Sequence, residues 1–255
     1  MATPVDPDST GLERGVTAGG VRRGSHFRRA SPIVRRFPEP TRAIPESAVD
    51  RLYIHPDNPQ PRLVRKVAEV LRDGGLVAFP TDSAYALGCH LGDKEAVDRI
   101  RRIRALDKHH NFTLMCRDLS ELGSYAKVDN QVFRLLRANT PGPYTFILDA
   151  TSEVPRRLMH PKRRTIGLRV PDHGIVQALL AELGEPLMSV TLILPGEREP
   201  LTDPDDIRER LAGRIELLVD GGQGALEPTT VIDLSAELPV LVRRGGGDPA
   251  PFGCD

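Results

Sequence analysis

Cysteine is scarce in this chain of 255 residues, which contains only Cys89, Cys116 and Cys254. Their odd number and the lack of any C-x-x-C spacing argue against a zinc site or a disulfide framework and favour a reducing compartment. No apolar run approaches the roughly 20 residues of a membrane helix. The first residues also lack the apolar core of a secretory signal. We therefore expect a cytoplasmic protein that has no membrane contact.

An excess of charge of either sign is missing as well, because 35 Lys and Arg balance 35 Asp and Glu. Any contact with nucleic acid must then come from a local basic patch. The Walker pattern G-x-x-x-x-G-K-[ST], the zinc pattern H-E-x-x-H and the nucleophile pattern G-x-S-x-G are all absent. We expect no structural metal, and we set aside the hydrolases that depend on these patterns.

The first 50 residues differ in composition from the rest of the chain. They are rich in Gly, Pro, Ser and Arg, and they show no apolar periodicity. Such a segment cannot bury enough apolar surface to offset the entropy lost on ordering. We predict a disordered N-terminal extension over residues 1–50 and a single domain over residues 51–255. The arginines of the extension weakly favour RNA or acidic partners. An alternative explanation of the extension is that the start of the protein has been predicted too far upstream.

Helices and strands are predicted to alternate through the first two thirds of the domain, after which strands cluster. The predicted helices run from Pro61 to Gly74, from Asp93 to Arg104, onward from Leu119, through Val132 to Leu136, over Ile175–Leu183, and from Asp203 or Asp205 to Leu211. The predicted strands are Leu76–Phe79, Phe112–Cys116, Tyr144–Leu148, Thr165–Val170, Leu187–Leu194, Ile215–Val219, Thr229–Leu234 and Val240–Val242. This order predicts an α/β fold with a twisted mixed sheet and flanking helices.

The segment GGLVAFPTDSAYALG, which begins at Gly74, contains the densest polar cluster. Its short apolar strand ends at Pro80, which cannot donate to a sheet. Two hydroxyls, a carboxylate and a phenol follow, from Thr81, Asp82, Ser83 and Tyr85. Ligands of open α/β sheets bind beyond the carboxyl ends of strands, so this cluster is a candidate site. A capped turn explains the same residues equally well.

Basic residues are concentrated along and after the second predicted helix. They are Arg99, Arg101, Arg102, Arg104 and Lys108. Because guanidinium groups fork onto phosphate oxygens, this run is a candidate phosphate clamp, although a solvated helix surface explains it equally well.

Arg169 lies within an apolar predicted strand, on the same face as Gly167. It requires an acidic partner or serves an anionic ligand, and we favour the ligand, because Gly167 permits close approach beside it.

Three further segments complete a recurring set of motifs. They are PGPYT from Pro141, GLRVP from Gly167 and TTVID from Thr229. Together with the segment from Gly74, with Arg102-Ile103-Arg104 and with Thr191-Leu192-Ile193, they resemble the YrdC/YciO family, which is related to threonylcarbamoyl-AMP synthases. The resemblance spans about Leu52 to Phe252, and the phrases PDNPQ from Pro56 and HHNFTLMC from His109 resemble the YciO branch in particular.

The resemblance implies a twisted α/β sheet with a concave basic surface that binds nucleotide and double-stranded RNA. It implies that L-threonine, bicarbonate and ATP, accompanied by Mg²⁺, are joined into threonylcarbamoyl-AMP for the threonylcarbamoyladenosine modification of tRNA. By position, it implies a threonine pocket at Thr81, Ser83, Tyr85 and Thr145. It further implies triphosphate contacts, as the catalytic set, at Arg102, Arg104 and Lys108, and nucleotide contacts at Arg169, Thr191 and Thr230.

Two positions depart from the family pattern. Arg102 stands where the family has lysine, and Ile193 stands where it has asparagine. A hydrogen bond to a charged ligand contributes roughly 1.5–3 kcal/mol, so its loss weakens binding or rate by about ten- to a hundred-fold. We therefore expect a weakened synthase. The alternatives are a non-catalytic RNA-binding protein, whose basic face would include Arg101, Lys162, Arg163 and Arg164, and a site that has drifted to an unrelated small anion.

Overall fold

The computed structural model describes residues 49–107, 110 and 112–254. The predicted extension over residues 1–50 lies outside them except for its last two residues. The strands are β1 (Asp50–Tyr53), β2 (Val77–Phe79), β3 (Ala86–His90), β4 (Thr113–Met115), β5 (Tyr144–Asp149), β6 (Thr165–Arg169), β7 (Leu187–Thr191), β8 (Leu217–Asp220), β9 (Thr230–Asp233) and β10 (Val240–Arg243). The helices are α1 (Pro61–Arg72), α2 (Lys94–Arg104), α3 (Leu119–Tyr125), α4 (Asn130–Asn139), α5 (Gly174–Leu183) and α6 (Pro204–Arg210), followed by a 3₁₀ turn at Ala250–Phe252.

All ten strands form one twisted mixed sheet in the order β1-β8-β2-β3-β7-β4-β6-β5-β9-β10. Parallel pairing joins β1 to β8, β2 to β8, β4 to β6 and β5 to β9. The other neighbours pair antiparallel. The predicted α/β class with a mixed sheet and flanking helices is therefore confirmed.

Local sequence explains where the helix that precedes the site begins and ends. Asp93 caps α2 by accepting a hydrogen bond from the backbone N–H of Ala96 at 3.0 Å. The helix ends at Ala105, which has a left-handed φ of 49°. The buried residues of this helix are Ala96, Val97, Ile100 and Ile103. As a result, Arg104 is fixed as the last helical residue.

The two faces of the sheet have different coverings. Residues such as Leu87, Leu114 and Leu168 lie on what we call the first face, whose core includes residues of α2, α3, α4 and α6. The alternate residues lie on the second face, where α1 and α5 share a core with β2, β3, β7 and β8. Over β5, β6 and β9, the second face lines the cavity described below.

Two strands were not predicted. β3 directly follows the polar cluster, and its first residue, Ala86, offers little apolar signal. β1 is an edge strand whose residues are mostly exposed. The predicted strand Leu187–Leu194 also ends earlier, at Thr191. β1 pairs with the distant β8, and β3 pairs with the distant β7 as well as with β2. Local propensity is a weak guide to such pairing.

Candidate functional site

A cavity of about 310 Å³ lies against the second face of the sheet. Its lining consists of Ser83, Ala84, Ala86, Arg104, His110, Thr113, Met115, Thr145, Ile147, Gly167, Arg169, Ser189, Val190, Thr191, Thr229, Val231, Val242 and Arg243. Three arginines and six hydroxyl side chains are in this set, and no carboxylate is among the described lining residues. The composition suits a polar anionic ligand.

Strand register explains how distant segments meet in the cavity. Thr113 is opposite Gly167 on one side and opposite Ser189 on the other, and Gly167 is in turn opposite Ile147. Side chains at paired positions point to the same face, so these residues form a row across the cavity floor. A Cβ on Gly167 would lie 3.0 Å from a backbone oxygen and 3.1 Å from the Thr113 hydroxyl. Glycine therefore keeps this floor open, as the sequence predicted.

Arg104 and Arg243 form a cationic group on one side of the cavity. Burial, and then the charge of Arg243, lower the pKa of Arg104 to about 10. Arg243 donates to the backbone oxygen of Thr229 at 2.8 Å and to its hydroxyl at 3.1 Å. Within the described residues neither arginine forms an ion pair with a carboxylate. Two uncompensated guanidinium groups attract an anion strongly.

His110 lines the same side of the cavity. Burial, followed by the charge of Arg104, lowers the pKa of this histidine. The imidazole is therefore neutral at pH 7 and can donate or accept a hydrogen bond.

Arg169 faces the cavity and also has an acidic partner. Its terminal nitrogen lies 2.5 Å from Asp82 Oδ1 and 3.3 Å from the Thr81 hydroxyl. Burial lowers its pKa, and the charge of Asp82 opposes that effect. The Nε of Arg169 and the second carboxylate oxygen of Asp82 have no hydrogen-bond partner in the described part of the chain. Arg169 therefore has the acidic partner that one alternative required. It also lines the cavity, as the alternative of an anionic ligand requires.

Hydroxyl groups from separate elements form short hydrogen bonds at the cavity rim. Thr81 donates to the backbone oxygen of Ala84 at 2.7 Å, and its oxygen lies 3.1 Å from the Ser83 hydroxyl. The hydroxyls of Thr145 and Thr229 lie 2.9 Å apart. Five of the predicted site residues line this cavity: Ser83, Arg104, Thr145, Arg169 and Thr191. Thr81 is outside the described lining, but its hydroxyl is within hydrogen-bond distance of the lining residues Arg169 and Ser83.

Two predicted site residues point to the first face instead. Tyr85 donates to the backbone oxygen of Gly222 at 2.8 Å, and burial raises its pKa to about 12. The Thr230 hydroxyl donates to the backbone oxygen of Gly247 at 2.6 Å. Because strand neighbours alternate between faces, the adjacent residues Ala84, Ala86 and Thr229 line the cavity while Tyr85 and Thr230 do not.

The basic residues beside Arg104 have different placements. Arg102 is exposed, outside the described lining, and its Nε donates to a carbonyl of its own helix at 3.4 Å. Lys108 lies outside the described residues. Sequence reasoning missed Arg243, which comes from a strand far along the chain. It also selected Thr230 instead of Thr229, because the adjacent apolar residues Val231 and Ile232 do not show which face of β9 packs on the core.

Mg²⁺ has no protein-supplied site in this lining. The described cavity residues offer guanidinium, hydroxyl and imidazole groups and no carboxylate, which is the ligand that this ion prefers in proteins. Among the described residues no cluster of three or more His, Cys, Asp or Glu is placed to hold a metal ion. The lining does not fit a protein-held Mg²⁺, and an ion that accompanies ATP stays a prediction. In the described part of the chain no helix is long and apolar enough to cross a membrane.

Comparison with known proteins identifies the family. The Sua5/YciO/YrdC family model, whose description is telomere recombination, matches residues 69–245. The chain therefore belongs to this family, and the resemblance seen in its motifs is confirmed.

Relatives of this chain include uncharacterised YciO proteins and threonylcarbamoyl-AMP synthases. The uncharacterised protein YciO of Escherichia coli K12 is 57% identical over 200 residues, covering 78% of this chain and 97% of that protein. Its crystal structure matches with a TM-score of 0.78 over 80% of this chain and 99% of that one. The threonylcarbamoyl-AMP synthase of Halorhodospira halophila is 32% identical over 180 residues, 70% of this chain and 93% of the synthase. Sua5 of Pyrococcus abyssi, complexed with L-threonine, has a TM-score of 0.71 at 28% identity, covering 78% of this chain and 58% of that one.

Proposed function

We propose that this protein binds ATP and L-threonine in the cavity and joins them with bicarbonate into threonylcarbamoyl-AMP, which serves the threonylcarbamoyladenosine modification of tRNA. The observation that carries the proposal is the pair of uncompensated arginines, Arg104 and Arg243, in a cavity rimmed by hydroxyls. Membership of a family that includes threonylcarbamoyl-AMP synthases supports the choice of reaction.

The reaction needs two steps. The amine of threonine combines with bicarbonate to give a carbamate and water. A carbamate oxygen then attacks the α-phosphorus of ATP, a new P–O bond forms, and the bond to pyrophosphate breaks. Charge that develops on the phosphoryl oxygens and on the departing pyrophosphate is neutralised by Arg104 and Arg243, which already face the cavity.

Binding of L-threonine is supported by two observations. The related Sua5 structure is a complex with this amino acid. The cavity also offers neutral hydroxyl partners for an amino-acid side chain, among them Ser83, Thr113 and Thr145. Such groups donate and accept hydrogen bonds without adding charge.

Thr191 keeps a hydroxyl in the cavity lining, whereas Ile193 lies outside the described lining and brings no amide. Since one hydrogen bond to a charged ligand contributes about 1.5–3 kcal/mol, we expect a slower enzyme rather than an inert protein.

Two arginines of the basic face have partners within the protein, which favours small-molecule chemistry over RNA binding. Arg163 is paired with Asp233 at 2.7 Å, and Arg101 lies 5.1 Å above the ring of Phe112. These two arginines are therefore partly engaged within the protein. RNA binding without chemistry is the alternative, and it predicts affinity for structured RNA that falls steeply with salt.

The test is pyrophosphate release from ATP with and without L-threonine and bicarbonate. We expect release to require both compounds and to fall by about ten- to a hundred-fold in Arg104→Gln. Arg134→Gln is the matched control, because this exposed helix arginine donates to a carbonyl of its own helix at 3.1 Å. The proposal is contradicted if the folded protein, supplied with L-threonine and bicarbonate, releases no more pyrophosphate than it does without L-threonine.

A further inference from the structure

Asp82 neutralises one of the three arginines that line the cavity. Both side chains are almost fully buried, with 10% of Asp82 and 5% of Arg169 exposed, and their closest N···O distance is 2.5 Å. Only one carboxylate oxygen takes part, so Asp82 Oδ2 and Arg169 Nε are left without partners among the described residues. His173 is close to the pair, but burial lowers its pKa, so it adds no charge at pH 7.

The opposite side of the cavity has a different charge. Arg243 lies on β10 and Arg169 on β6, with the strands β9 and β5 between them, and the pKa of Arg243 is lowered by burial and then by the charge of Arg169. Arg104 and neutral His110 lie near Arg243, and this group contains no described carboxylate. We call these regions the Arg169 side, whose charges sum to zero, and the Arg243 side, which has two positive charges.

We propose that Asp82 is a specificity-determining residue, which makes the Arg169 side accept the zwitterionic end of an α-amino acid and leaves phosphate groups to the Arg243 side. Asp82 acts through Arg169, because Arg169 lines the cavity whereas Asp82 is outside the described lining. The amino-acid part of this inference rests on the proposed function, whereas the anion-binding part does not.

The physical reason lies in the charges of the two ligand classes. An α-amino acid carries an ammonium and a carboxylate at pH 7, so an uncompensated arginine would attract one group and repel the other. The charge of Asp82 cancels that of Arg169, so the ammonium meets no net positive charge there, while the carboxylate can still accept a hydrogen bond from Arg169 in the cavity lining. An anion without an ammonium gains nothing from Asp82 and is repelled by it.

The test measures the affinities of three ligands by calorimetry at pH 7 in wild type and in Asp82→Asn. The ligands are pyrophosphate, L-threonine and 2,3-dihydroxybutanoate, which has a hydroxyl in place of the ammonium of threonine. A full charge close to a ligand changes its affinity by about tenfold or more. We expect Asp82→Asn to bind pyrophosphate and 2,3-dihydroxybutanoate about tenfold more tightly. L-threonine should bind no more tightly than to wild type, because the added attraction of its carboxylate is offset by repulsion of its ammonium. Damage to the fold would weaken all three.

A double variant guards against misfolding of Asp82→Asn, because Arg169→Gln combined with Asp82→Asn removes both charges together. We expect its pyrophosphate affinity to stay within about threefold of wild type, since the charge of the Arg169 side is unchanged. Asp205→Asn is the matched control, as it removes the same charge from an exposed pair with Arg51.

Two results would overturn the proposal. One is a pyrophosphate affinity that does not rise in an Asp82→Asn variant whose melting temperature matches wild type, and the other is a loss of more than about tenfold in pyrophosphate affinity in the double variant. A wild-type protein that binds pyrophosphate but not L-threonine would reject the amino-acid part alone. Tighter pyrophosphate binding by Asp82→Asn would then still support the neutralising role.

Discussion

Replacing Arg104 with methionine is expected to stabilise the fold and to weaken anion binding at once. Burial and the neighbouring Arg243 lower the pKa of Arg104 to about 10. A pKa lowered this far corresponds to about 3 kcal/mol for a fully buried group. Because this guanidinium is only partly buried, solvent screening reduces the penalty to about 1–2 kcal/mol. The penalty is fully present at neutral pH and is relieved as the pH rises through about 10.

Methionine retains an apolar stem at this position and removes the charge. Since 1 kcal/mol shifts the melting temperature of a domain of this size by about 2–4 °C, we expect an increase of about 2–8 °C. Pyrophosphate affinity should fall by about ten- to a hundred-fold, because a charge-assisted hydrogen bond is lost. Thermal unfolding followed by circular dichroism and titration calorimetry measure the two effects.

Arg134→Met is the control for this prediction, because Arg134 is an exposed arginine of α4 that is not among the described lining residues of the cavity. We expect it to change stability by no more than about 0.5 kcal/mol and to leave pyrophosphate affinity unchanged. A lower melting temperature for Arg104→Met, or an unchanged affinity, would refute the reasoning that Arg104 is an uncompensated cation held for a ligand.

Three other substitutions test the placement of site residues. Gly167→Ala puts a methyl group 3.0 Å from a backbone oxygen, so we expect a loss of about 1–3 kcal/mol in unfolding free energy and weaker ligand binding, measured by thermal unfolding and calorimetry. Tyr85→Phe removes the hydrogen bond to Gly222 and should lower stability by about 1 kcal/mol while pyrophosphate affinity stays the same; a large loss of affinity would contradict its placement on the first face. Thr191→Ser combined with Ile193→Asn should raise threonine-dependent pyrophosphate release by about tenfold or more, and an unchanged rate would show that the missing amide is not what limits the site.

Local periodicity predicted those features that depend on one element alone. The cap, the end and the buried face of α2 follow from residues within one helix, so Asp93 and Arg104 are placed correctly. The two-residue repeat of β6 likewise put Gly167 and Arg169 on one face, which is the cavity face. Both features are set by neighbours in the sequence, and the sequence is therefore sufficient to predict them.

Features that depend on the pairing of distant strands were harder to predict. Arg243 reaches the cavity only because β10 pairs with β9, which itself pairs with β5. The choice between Thr229 and Thr230 depends on which face of β9 packs on the core. Tyr85 was expected in the threonine pocket, but it alternates with Ala84 and Ala86 and so points to the opposite face. Adjacent polar residues of similar chemistry cannot be separated until strand register is known.

The most direct test of a phosphate-binding cavity is a crystal structure with a non-hydrolysable ATP analogue. We expect phosphate oxygens within about 3 Å of the guanidinium groups of Arg104 and Arg243, on the second face of the sheet. An analogue bound elsewhere on the protein, with both of these arginines free of phosphate, would contradict it.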